Sequence, residues 1–149
     1  MGQIYWVPNE FRDDPDIVPK GIGLALDFSE IILMQAPWSP SVESIQKLSW
    51  VSELTKTHDR GLAIALDWMR QDRKGLVTDG VLSWSFRSPD VRDRFIDDTF
   101  NIAKAFRPEY LLLGVEVDFL ARNHPEEFSA FSSTYADAYD RIKETYPDI

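Results

Sequence analysis

Three apolar runs, each feeding a helix-like stretch, constrain this chain more than any other feature. They are residues 30–36 (EIILMQA), 62–68 (LAIALDW) and 111–117 (LLLGVEV). All three are rich in Leu, Ile, Val and Ala with little alternation, the pattern of parallel strands covered on both faces. A strand followed by a helix and a parallel strand forms a right-handed crossover. The order therefore predicts an α/β fold of parallel βα units, either a doubly wound sheet or part of a (βα)₈ barrel.

The intervening helices carry their own signals. Ser39-Pro40 supplies an N-cap followed by a proline whose missing N–H is not needed there. Val42, Ile45, Leu48, Val51 and Leu54 then repeat at helical spacing, with Gly61 as the expected stop. Ser88-Pro89-Asp90 repeats the start signal, and Val91, Phe95, Ile102 and Phe106 mark an apolar face that ends before Pro108. A third helix begins near Pro125-Glu126-Glu127, where acidic groups complement the helix dipole. Its expected buried face is Phe128, Phe131, Tyr135, Tyr139, Ile142 and Tyr146.

Residues 1–29 read as an irregular N-terminal arm, and residues 30–149 as the three βα units. Within the arm, Ile4–Val7 could form a short strand and Ile22–Leu26 a strand or a helical turn, but Asp13-Asp14-Pro15-Asp16 and Pro19 interrupt them. Residues 71–87 are long for a βα connection. They leave from the carboxyl end of a strand and hold Trp84 and Phe86, so they read either as a functional loop or as an insertion covering the core.

Composition narrows the function classes. The formal net charge is −9 and no basic stripe is visible, which argues against a nucleic-acid partner. The chain has no cysteine, which removes thiolate chemistry and disulfides. Neither His58 nor His124 has a second histidine or a spaced carboxylate beside it, so no metal site is expected. There is no GxGxxG or P-loop glycine pattern, and no cofactor is implied. No apolar run reaches the roughly 20 residues that span a bilayer. The first residues lack a basic start and an apolar stretch, so no signal peptide is expected in this sequence. The compartment stays open.

In parallel α/β folds the ligand site lies at the carboxyl ends of the strands. Pro37 and Trp38 follow the first run, Asp67 and Trp68 end the second, and Glu116, Asp118 and Phe119 end the third. Glu116 is a poor choice inside so apolar a run without a role or a partner. Asp67 could instead cap the following loop through local backbone hydrogen bonds. Trp38 and Trp68 could stack on a sugar ring or pack in the core. Trp6 and Trp50 read as packing residues.

From about residue 31 to residue 147 the chain resembles strands two to four of the clan A glycoside hydrolases. The likeness is to the endo-β-1,4-galactanase branch. It rests on the strand ending Asp67-Trp68, the run RDRFIDDTFNIAKAFRPEYLLLGVEVDFL and the helix EEFSAFSSTYADAYDRIKETYPDI. The resemblance implies half of a TIM barrel acting on a β-linked polysaccharide, with Glu116 as general acid/base. Trp38, Asp67, Trp68, Trp84 and Asp118 would then contact the carbohydrate. It is also compatible with secretion.

The pattern departs from the family at Val115, where those enzymes carry an asparagine that meets the sugar 2-hydroxyl. A retaining glycosidase also needs a second carboxylate about 5–5.5 Å away; in the family it comes from strand seven. The expectation is a catalytically incomplete half-barrel, either a fragment or a standalone module. The alternative is a non-catalytic carbohydrate-binding or assembly module. Three or four parallel strands cannot close a barrel, so a homo-oligomer, a two-fold dimer burying the open sheet, is expected.

Overall fold

The computed structural model describes residues 3–4, 17–38, 44–69 and 84–149. The expected N-cap at Ser39-Pro40, the packing role of Trp6, and residues 71–83 of the long connection lie outside them.

The chain is mixed α/β, with parallel strands alternating with helices. The order is β1 (Gln3–Ile4), α1 (Ile17–Phe28), β2 (Ile31–Pro37), α2 (Ser44–Thr57), β3 (Gly61–Asp67), α3 (Pro89–Phe106), β4 (Tyr110–Leu112), α4 (Val117–Asn123) and α5 (Pro125–Thr145). The sheet order is β1-β2-β3-β4 and each neighbouring pair is parallel. Each crossover steps to the adjacent strand in the same direction. Among the described strands the order never reverses, as it does in a doubly wound sheet.

Alternation along β3 separates the two faces of the sheet. Leu62, Ile64 and Leu66 join the main core with Leu48 and Val51 of α2, Phe95 and Ile102 of α3, and Phe131 and Ile142 of α5. One face therefore carries α2, α3 and α5. The other face presents Leu33, Ala63 and Tyr110 in one register row, and Gln35, Ala65 and Leu112 in the next. Ala63 and Ala65 are buried there, but Tyr110 is 57% exposed and Leu112 43%.

Residues 17–28, expected to belong to an irregular arm, form α1. Pro19 falls in the first turn, where its missing N–H breaks no intrahelical bond. Ala25 and Leu26 are buried, and Arg60 Nε donates to the Leu26 carbonyl at 2.7 Å, tying the end of α1 to the start of β3.

Gly61 is not the stop of α2. The helix ends at Thr57, and Asp59 takes the left-handed turn at φ 53° with Arg60 N donating to Thr55 O at 2.8 Å. Asp tolerates that conformation better than most residues. Gly61 instead opens β3, where any Cβ would collide with the Glu109 carboxylate. The second expected helix matches α3, which starts with Pro89 and ends at a left-handed Arg107 (φ 48°) just before Pro108.

The third helix is α5, but its buried stripe differs from the aromatic one expected. Phe131, Thr134, Ala138 and Ile142 are buried, whereas Tyr135 and Tyr139 are 43% and 45% exposed. The reason is close approach to α3, whose facing residues include the buried Thr99 and Ala103. Small side chains admit the neighbouring backbone, and the tyrosines are displaced to the rim of the contact. Trp50, expected to pack, is 49% exposed on α2. No described helix is long and apolar enough to cross a membrane.

Candidate functional site

Three of the expected site residues meet at the carboxyl ends of β2 and β3. Pro37 pairs with Asp67 in the sheet register, and Trp38 N donates to Asp67 O at 2.8 Å. Trp68 follows directly. Its indole Nε1 donates to the carbonyl of Leu113 at 3.0 Å, which brings the chain leaving β4 to the same rim.

The tryptophans are core residues here. Trp68 is 1% exposed and Trp38 3%. Trp38 lies edge-on to Phe95 at 4.9 Å between ring centroids and parallel to Phe86 at 6.2 Å. Its Nε1 donates to Asp98 Oδ2 at 3.1 Å, so α3 holds the ring in place. Trp68 packs on Phe86 and Phe131 at 5.2 and 4.7 Å. Aromatic pairs in this range prefer tilted and edge-to-face arrangements. With both indoles enclosed, neither offers an open face for the expected sugar stacking.

Asp67 is held by one cross-strand bond and one local bond. Its Oδ2 accepts from Gln35 Nε2 at 2.6 Å and its Oδ1 from Met69 N at 3.1 Å. The second bond is the Asx-type cap that competes with a ligand-binding reading.

Glu116 does not lie within the strand. β4 closes at Leu112, and Leu113, Gly114 and Val115 carry the chain out of the sheet before Glu116 caps α4. Gly114 permits this exit: a Cβ there would meet Val117 Cγ1 at 2.8 Å, with Phe131 and Trp68 each at 3.1 Å. Glu116 itself is exposed and left-handed at φ 54°, ψ 37°. For a residue with a Cβ this costs on the order of 1–2 kcal/mol. Such strain persists where the surroundings impose it, and it clusters at functional positions.

The two remaining candidates are Asp118 and Trp84. Asp118 is in the first turn of α4 and pairs with Arg122 one turn on, both well exposed. Trp84 is half-buried against the core, and its Nε1 is buried with no hydrogen-bond partner among the described residues. No group of three or more potential metal ligands occurs among the described residues.

One tie was missed from sequence. Glu127 of α5 accepts from Phe86 N at 3.0 Å and from the Ser85 hydroxyl. It fastens the end of the long connection beneath the rim and sets Phe86 between Trp38 and Trp68. The acidic first turn of α5 was legible, but only its helix-dipole role could be read from the sequence.

What this rim can do chemically is limited and specific. It offers an exposed Glu116, whose backbone is left-handed, and the hydrogen-bonded carboxylate of Asp67. An exposed carboxylate can exchange a proton with a bound hydroxyl or leaving oxygen. Searches against protein-family models, curated proteins and solved structures found no match to this chain.

Proposed function

We propose that this chain is half of a glycosidase-type (βα) barrel that engages a β-linked polysaccharide at the rim carrying Glu116. The observation that carries the reading is the sheet order: parallel strands in unbroken chain order, with α2, α3 and α5 on one face. Such an arrangement is what one wall of a (βα) barrel would have, and barrel enzymes work at the carboxyl-end rim. The sequence likeness to clan A hydrolases, centred on Gly114-Val115-Glu116, supports the choice of substrate. Glu116 would protonate the leaving oxygen and later activate water. A second carboxylate must come from whatever completes the barrel.

A second reading is a non-catalytic carbohydrate-binding or assembly module. The enclosure of Trp38 and Trp68 and the hydrogen bonds of Asp67 to Gln35 and Met69 withdraw these side chains from sugar contact, which favours its assembly form. Release of sugar from a panel of β-glucans, galactans and mannans, measured beside binding to the same panel, separates the two. Release abolished by Glu116→Gln with binding retained supports the first. Binding without release supports the second as a carbohydrate binder, and neither binding nor release overturns the first and leaves the second only its assembly form.

A further inference from the structure

Two large apolar surfaces remain in water, and they occupy opposite ends of the same layered structure. On α1, between the first two strands, Leu24 is 58% exposed and Phe28 83%. On α5, after the last described strand, Tyr135 and Tyr139 stack at 6.1 Å and are both nearly half exposed. These pairs lie on the first long helix and the last one. The inner sheet face adds Tyr110 and Leu112. Of the exposed large apolar side chains among the described residues, only Trp50 lies elsewhere.

We propose that a second copy of this chain covers all three surfaces at once. It would close the sheet about a two-fold axis parallel to the strands. Among the described residues β1 pairs only with β2 and β4 only with β3, so neither outer edge has a described partner strand. A two-fold axis along the strands keeps every strand parallel. It sets β4 of each copy beside β1 of the other, and four strands from each copy give the eight that fill and seal a barrel.

The same rotation brings α5 of one copy against α1 of its partner in the outer ring. Parallel crossovers run these two helices in the same direction. Leu24 and Phe28 occupy the last turns of α1, and Tyr139 lies in the later part of α5, so the proposed contact pairs the later parts of both helices. Tyr110 and Leu112 turn inward, where each barrel wall packs against the opposite one. The inference rests on the half-barrel part of the proposed function and not on the identity of any sugar.

The absence of cysteine allows a direct test. Light scattering at micromolar concentration should give about twice the 17.2 kDa chain mass. The double variant Leu24→Cys with Tyr139→Cys, oxidised under non-denaturing conditions, should give one discrete covalent dimer. Each single-cysteine variant should stay uncrosslinked. Leu112→Lys, at an already exposed position, should yield monomer with unchanged far-ultraviolet circular dichroism, while Trp50→Lys should remain dimeric.

A monomeric wild-type chain overturns the proposal. So does a ladder of crosslinked oligomers, which would mean an open head-to-tail array. Dissociation by Trp50→Lys but not by Leu112→Lys would place the interface on α2 and overturn it as well. If Leu112→Lys fails to fold, the cysteine pair still decides. Failure of every polysaccharide to bind would sink the proposed function and leave these readouts unchanged.

Discussion

The indole Nε1 of Trp68 donates to the main-chain carbonyl of Leu113 at 3.0 Å, across a sequence separation of 45 residues. That bond joins the end of β3 to the point where the chain leaves β4. It holds the rim together just where the sheet ladder stops, because β3 and β4 pair only as far as Ala65 and Leu112. Trp68→Phe keeps most of the apolar contact and strands a buried carbonyl. An unsatisfied buried acceptor costs about 1–3 kcal/mol, and urea denaturation should report a loss of that size. A loss under about 0.5 kcal/mol would mean that the bond does not hold the rim.

Glu116 is expected to trade stability for its position. Replacing a left-handed residue by glycine removes a Cβ clash but adds freedom to the unfolded chain. Glu116→Gly should therefore be neutral to about 1 kcal/mol more stable, measured as the shift in denaturation midpoint. Glu116→Ala should show no such gain, since alanine keeps the Cβ.

Phe95 is fully buried and meets Trp38, Phe86 and Phe131. Phe95→Ala opens a cavity beneath the rim that these rings cannot collapse to fill. The expected cost is about 3–5 kcal/mol, a large part of the stability of a domain this size. Calorimetry should show a much lower melting temperature or no cooperative transition.

Ala138 is fully buried where α5 crosses α3. Ala138→Leu should cost about 1–3 kcal/mol by overpacking. A stabilising Ala138→Leu would mean that the helices have room to spare, contrary to the small residues found at their contact.

Two neighbouring acidic residues of α5 should behave differently. Glu127 accepts from Phe86 N and Ser85, whereas Glu126 pairs with Arg87 on the open surface at side-chain exposures of 78% and 64%. Exposed ion pairs are worth about 0–1 kcal/mol, so Glu126→Ala should change stability little. Glu127→Ala leaves the Phe86 N–H without its acceptor and should cost about 1–3 kcal/mol. Hydrogen exchange at Phe86 should also accelerate in Glu127→Ala alone.

The sequence by itself determined the parallel α/β class, and it located α3, α5 and the central strand to within a residue or two. Those elements depend on signals local in the chain. Ser88-Pro89 starts α3, Pro125 starts α5, and an unbroken apolar run marks the buried β3. It also pointed to Trp38, Asp67 and Trp68 at the ends of β2 and β3, where each apolar run stops. What only the tertiary structure decided depends on packing between distant segments. Residues 111–117 read as one strand, but β4 ends at Leu112 because Gly114 lets the backbone turn against Trp68 and Phe131. Tyr135 and Tyr139 share the period of the buried face, yet the close approach of α3 admits Thr134 and Ala138 instead. Trp38 and Trp68 stand at the expected rim, but Glu127 sets Phe86 between them and encloses both rings. Periodicity tells which residues share a face. How closely two faces approach, and which side chains that leaves in water, is fixed only when both are brought together.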